Sequence, residues 1–354
     1  MNTFTTHYYT IITFFISFQQ VLDVLHHLTN PLSSEVEDWT LKQAGFEQAI
    51  NGLLSILNND ALDPAFRALI LTPPSTSELI DNMNNGVNPL HVHTARNIVI
   101  EQIAEAMHQD CQRVYEWCQP EHQTEYTWNP ETVGKRALAS RCLKYLMAMK
   151  NNASGIQLCR NQFQSATNMT DSFNALASMN GTDSSERNEM MSMFLKKWKN
   201  DPNVIVKYLL LESTTDIENN TERLRQIFEI GSDDTKSTVS SNDSIMEAAA
   251  AFDMTLPNKV YALCRAFSAS VVNFHHPDGS GYTLMADMVI AVDKVNAQVG
   301  SRLAGPFTKW QKYDEGRRVL ILKELERMMN SDLTANTREI VSKCLKQKGG
   351  ESKL

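Results

Sequence analysis

Leu256-Pro257-Asn258-Lys259-Val260-Tyr261 opens a run that continues through Asn273-Phe274-His275-His276-Pro277-Asp278-Gly279-Ser280-Gly281-Tyr282 and Asn296-Ala297-Gln298-Val299-Gly300-Ser301-Arg302-Leu303. It closes on Phe307-Thr308-Lys309-Trp310 and Tyr313-Asp314. The spacing predicts three short amphipathic helices. Pro257 sits where a first helical turn tolerates proline, and Val260, Leu263, Cys264 and Phe267 recur at helical intervals. Beyond the Asp278–Gly281 turn, Met285, Met288, Val289, Val292 and Val295 form a second apolar stripe. Asn296 can cap a third helix with Val299, Leu303, Phe307 and Trp310 inside. Connections this short make consecutive helices pack antiparallel.

Outward from this run, the pattern stays helical from Val21 to the end. Asn88-Pro89 reads as a cap followed by a first-turn proline. Ala95, Val99, Ile103, Met107, Cys111, Val114 and Cys118 then mark the longest helix, with one buried seam. Asp183-Ser184-Ser185-Glu186 has capping-box spacing ahead of Met190, Phe194 and Trp198. Lys196, Lys197 and Lys199 suit that helix's C-terminal dipole. Asp201-Pro202 starts another helix carrying Val204, Ile205, Tyr208 and Leu209. The expected fold is all-α, a superhelical stack of antiparallel helix pairs of the ARM/HEAT-like α-solenoid type, with no strict sequence period. The Ser-, Thr- and Asp-rich run from Gly231 to Asp243 reads as an exposed loop and a possible subdivision of the domain spanning residues 21–346.

Only 14 glycines and 11 prolines interrupt 354 residues, a composition that favours helix. A net charge of −8 argues against a nucleic-acid binder, which needs a basic face. The six cysteines form no C-x-x-C pair and several fall on apolar faces, which reads as buried, reduced thiols.

The order Pro-Asn-Lys, Asn-Phe-His, Asp-Gly-Ser-Gly-Tyr, Gln-Val-x-Ser-Arg-Leu, Phe-x-x-Trp and Tyr-Asp resembles the C-terminal helical domain of the aminopeptidase N (alanyl aminopeptidase) family of gluzincin zinc metallopeptidases. The likeness reaches back through Asp63-Pro64-Ala65, Leu71-Thr72-Pro73-Pro74-Ser75, Gln123-Thr124-Glu125-Tyr126, Asn168-Met169-Thr170-Asp171 and Trp198. It implies a module that caps a catalytic bowl and controls peptide access. Its partners would be a catalytic aminopeptidase domain, in a longer gene product or a separate chain, and peptide.

The catalytic residues of that family are not in this sequence. A gluzincin holds zinc with the two histidines of H-E-x-x-H and a downstream glutamate. None of the histidines, at 7, 26, 27, 91, 93, 108, 122, 275 and 276, makes that motif, and the amine-holding Gly-x-Met-Glu-Asn is missing too. The expectation is therefore no catalytic residue, no metal ligand and no cofactor in this chain, zinc belonging to the catalytic domain. His91-Val92-His93 and His275-His276 with Asp278 read as surface or helix-start residues, because adjacent or alternate histidines on a helix diverge. Cys264 reads as core. Gln298 and Arg302, four apart, share a helix face away from Val299 and Leu303. In the resemblance, matching positions line the substrate channel, where a guanidinium pairs a peptide carboxylate. Lys259 keeps a basic residue on the Pro-Asn helix, while some relatives carry a second one where Tyr261 stands.

Two terminal stretches complete the reading. Residues 1–20 hold an apolar run, Tyr8 to Phe18, shorter than the roughly 18 residues a bilayer span needs. It lacks a basic n-region, so it reads as an unassigned leader or junction remnant rather than a membrane span. The polar tail 347–354 ends in Ser352-Lys353-Leu354, the address read by the peroxisomal import receptor. The alternative function is thus a stand-alone helical-repeat interaction protein in a peroxisome or a peroxisome-like organelle such as the glycosome; the alternative location is the cytoplasm.

Overall fold

The computed structural model describes residues 44–119, 128–232 and 243–346. The terminal runs, Gln123–Tyr126 and most of the 231–243 run lie outside the described residues. The all-α fold expected from the spacing is the one that forms. Among the described residues no β-strand occurs, and extended backbone pairs only at a single Val87–Tyr313 bridge. No helix among them is long and apolar enough to cross a membrane.

The chain divides into two compact units, and the first takes in residues 44–83 and 91–179. Its helices are α1 (Ala44–Leu57), α2 (Pro64–Ile70), α3 (Thr76–Asn82), α4 (Pro89–Cys118), α5 (Pro130–Ala148), α6 (Ala153–Ser165) and α7 (Met169–Ser178). Most start at a side chain that meets an orphan backbone N–H. Asp63 accepts from Ala65 and Phe66, Ser75 and Glu78 form a full capping box, and Asn129 and Asn168 cap α5 and α7. The 30-residue α4 buries the whole seam read from sequence, Ala95 through Cys118. α2 packs on α5, and α5 packs on α6 and α7.

The second unit takes in residues 84–90 and 180–346. It begins with α8 (Ser185–Trp198), α9 (Pro202–Thr214), α10 (Asn220–Ser232) and α11 (Asp243–Ala251). α8 is capped by Ser184, whose hydroxyl accepts from Arg187 N–H; the first residue of the expected box, Asp183, is not the cap. Asp201 caps α9, and Val204, Ile205, Tyr208 and Leu209 are buried as read. Gly231, Ser232 and Asp243 belong to helices rather than to a loop, and α10 packs on α11 across the polar run. Both sides of that run lie in this second unit.

The 256–318 run keeps its buried faces and departs from regular helix twice. α12 (Pro257–Val260) gives way to a π turn (Tyr261–Arg265), a 3-10 turn (Ala266–Ala269) and α13 (Val271–Phe274). The buried Ser213 hydroxyl donates to the Leu263 carbonyl at 2.6 Å, taking an acceptor from the regular ladder there. α14 (Ser280–Val295) buries Met285, Met288, Val289 and Val292, while Val295, its last residue, is 47% exposed. Asn296 caps α15 (Ala297–Leu303) by accepting from Gln298 and Val299 N–H. The third helix does not run on to Trp310. Pro306 has no N–H to give an α-helix, and the chain tightens into a 3-10 segment (Gly305–Lys312) that still buries Phe307 and Trp310 at i, i+3. α16 (Glu315–Met329) and α17 (Ala335–Lys346) finish the described chain and pack together.

Candidate functional site

The residues singled out for function stand on α12 and α15. α15 is short, and its position is set by what lies beneath it. Val299, Gly300 and Leu303 face inward, toward α14 and α17. A Cβ on Gly300 would come within 2.5 Å of the Asp293 Cα, so only glycine allows this approach. Asp293 is itself anchored: its carboxylate accepts from Thr334 N–H at 2.6 Å, Thr334 Oγ1 at 2.7 Å and Thr337 Oγ1. With the inner face held this way, Gln298 and Arg302 are both exposed, as their spacing required.

Arg302 Nη1 donates to the Tyr261 hydroxyl at 3.1 Å, and the Arg302 carbonyl accepts from Arg265 Nη1 at 3.1 Å. Tyr261 and Arg265 are the two ends of the π turn, so both ends of that irregular turn bond to Arg302. The sequence reading missed Arg265. The available signal was its place four residues after Tyr261, off the Val260–Leu263–Cys264–Phe267 stripe. Lys259, half-buried on α12, lies near Asp253: hydrogen bonds from Thr255 hold that carboxyl below its ordinary range, and the Lys259 charge adds to the effect. Chemically, the cluster presents two guanidinium groups and a phenol to solvent. Such groups recognise a carboxylate or a peptide carbonyl through charge-assisted hydrogen bonds.

Three of the described histidines hold local structure, and His275 is buried rather than at the surface as expected. His93 spans Thr76 Oγ1, 3.4 Å from Nδ1, and Asn97 Nδ2, 2.9 Å from Nε2. His276 Nδ1 lies 2.7 Å from Asp278 on an exposed turn. His275 is buried, its Nδ1 2.7 Å from the Tyr282 hydroxyl, and burial followed by the Arg317 charge pulls its pKa down to about 3. Among the described residues no three His, Cys, Asp or Glu side chains gather closely enough to hold a metal ion. All six cysteines are buried and free; burial pushes the Cys159 thiol up to about 12 and raises Cys264 further. Ser352, Lys353 and Leu354 lie outside the described residues.

Three relatives are similar in sequence. Aminopeptidase N of Escherichia coli K12 is 27% identical over 82% of this chain, that of Caulobacter vibrioides 27% over 86%, and that of Haemophilus influenzae 27% over 79%. The resemblance read from the motifs is thereby borne out. The matched regions are 31%, 33% and 30% of those proteins, so the chain spans about a third of the length of the relatives it matches. In fold it is similar to Legionella pneumophila aminopeptidase A, solved in complex with aspartic acid: the TM-score is 0.72 at 22% identity, covering 93% of this chain and 38% of that one. The family described as a domain of unknown function (DUF3458_C) with ARM repeats matches residues 19–346. With nearly the whole chain inside that match and an all-α structure to go with it, this protein belongs to the DUF3458_C ARM-repeat family.

Proposed function

We propose that this chain is the C-terminal helical module of a zinc aminopeptidase, capping the catalytic bowl and limiting which peptides reach it. The catalytic domain, with its zinc, would be held in the same longer polypeptide or in a separate chain. The observation that carries the reading is Arg302: a guanidinium facing solvent on a helix whose opposite face is locked, braced by Tyr261 and Arg265. A fork fixed this way can take a peptide carboxylate with little ordering cost. Gln298 on the same face offers an amide to the peptide backbone, and Lys259 adds positive charge.

The test is to purify the tagged full chain from its source and assay release of N-terminal residues from short peptides. The expected partner bears H-E-x-x-H, and a chelator abolishes turnover. In that complex Arg302→Ala raises KM about tenfold for peptides with a free carboxylate, leaves kcat nearly unchanged, and has little effect on amidated peptides. Purification with no such partner, or an Arg302→Ala complex with unchanged KM, overturns the reading.

A further inference from the structure

The second unit holds a polar cavity of about 450 Å³ that peptide access at Arg302 does not use. Its walls come from the turn before α8, α8, α9, the turn after α9, α10 and α11. At its base Glu212, 2% exposed, is fully engaged. Tyr208 Oη donates to Glu212 Oε1 at 2.7 Å, and Arg223 Nε and Nη2 donate to the two carboxylate oxygens at 2.8 and 3.0 Å. Burial alone would raise the Glu212 carboxyl, but the bonds and charge of Arg223, the Arg187 charge and the Tyr208 bond outweigh it and hold the group ionised. Glu212 and Arg223 therefore cancel, and their pair presents no net charge to a ligand.

Arg187 is the second buried guanidinium beside Glu212: it adds to the field on that carboxylate but makes no ion pair of its own among the described residues. It is 6% exposed and lines the same cavity. Its Nε and Nη2 donate to the Asn180 carbonyl and side-chain oxygens at 3.2 Å each, and Nη1 donates to Asn188 Oδ1 at 3.3 Å. Those three bonds leave, among the described residues, two of the guanidinium's five N–H groups to serve a ligand. The solvent edge has the opposite sign, because exposed Asp183 and Glu218 line the cavity there. A simple anion would be repelled at the edge and a simple cation at the base. A short molecule with a charge of each sign at its two ends satisfies both, and the volume lies within the roughly 300–1,000 Å³ of small-molecule sites. We propose that this cavity binds a small zwitterion of the free amino acid or dipeptide class, its carboxylate on Arg187 and its ammonium on Asp183 and Glu218.

Equilibrium dialysis of isotopically labelled glycylglycine against the full chain tests this. Saturable binding is expected, with N-acetyl-glycylglycine and glycylglycine amide each at least about tenfold weaker, since each lacks one charge. Glu218→Gln, an exposed change that leaves folding intact, should weaken binding severalfold. Arg187→Lys keeps the charge and loses the fork, and should weaken it about tenfold. Should Arg187→Lys fail to fold, as its thermal melt would reveal, the blocked ligands and Glu218→Gln decide the matter. No saturable binding, equal binding of the blocked forms, or a Glu218→Gln protein that binds like the parent overturns the proposal.

Discussion

The two units hold their helices by different means. Among the described residues, the first buries only three polar or charged side chains, Arg67, Thr76 and Ser172, whereas the second buries thirteen. The first instead carries four of the six buried thiols, Cys111, Cys118, Cys142 and Cys159, on α4, α5 and α6. The difference goes with helix continuity. A 30-residue helix such as α4 pairs most of its own backbone and asks its neighbours mainly for apolar area, with polar bonds such as His93 to Thr76 and Arg96 to the Pro74 carbonyl at its sides. The second unit has long helices too, but from Pro257 to Phe274 and again over Gly305–Lys312 it breaks into four-residue helices, a π turn and two 3-10 segments, and each break leaves N–H and C=O groups that need partners. Asn273 shows the response. Its amide donates to the Thr215 and Ile217 carbonyls and its oxygen accepts from Asn220 N–H.

The largest effect should therefore come from cutting a buried polar anchor in the second unit. Glu212→Leu strands the Arg223 guanidinium and the Tyr208 hydroxyl, and should cost about 3–5 kcal/mol in urea unfolding. Adding Arg223→Met should restore most of that loss, because an apolar pair needs no counter-charge. If the double variant is no better than the single, the anchor holds backbone by a route other than charge pairing.

The same contrast explains what was legible in the sequence. Apolar seams at helical spacing predicted α4, α9 and α14, since burial of a stripe requires that period. Several motif residues behind the family resemblance are helix punctuation: Asp63, Ser75, Asn168, Asn296 and Asp314 all cap helices. Capping chemistry is local and can be read in one dimension. The exposure of Gln298 and Arg302 was legible for the same reason. The π turn was not, because the partner that bonds its Leu263 carbonyl, Ser213, stands fifty residues away. The Arg187–Glu212–Arg223 cluster was hidden too, since it assembles from α8, α9 and α10, and nothing in the spacing of any one of them announces a shared cavity.

A second way to sharpen the comparison is pH. His275 sits neutral among Phe274, Tyr282 and Tyr313, with Arg317 bonded to its carbonyl, and its pKa in the folded chain is about 3. In the unfolded chain the value is about 6.5. Between those pKa values the unfolded chain takes up a proton that the native one refuses. The stability this group contributes is present in full above about pH 6.5 and is lost as pH falls, at up to about 1.4 kcal/mol per unit. From pH 6.5 to 4.5 that is about 2–3 kcal/mol. His275→Phe should flatten the urea-midpoint slope over this window, despite a lower stability at pH 7 from the lost Tyr282 bond. An unchanged slope would mean that His275 meets water in the native state.

The smallest effect belongs to the thiols of the first unit. Cys142 is buried on α5, where its thiol bonds that of Cys111 on α4, and this contact together with burial raises its pKa well above the ordinary value. A thiol in that setting behaves as a small apolar side chain. Cys142→Ala removes one sulfur and leaves no stranded charge, so it should cost only about 1–2 kcal/mol in the same urea experiment. Cys142→Ser keeps the size and adds a strong donor to a site with only a weak sulfur acceptor, so it should cost more than alanine despite the better fit. That ranking, serine worse than alanine and both milder than Glu212→Leu, tests the comparison itself. If Cys142→Ala were as costly as Glu212→Leu, the first unit would depend on a specific polar contact after all, and helix continuity would not be what separates the two.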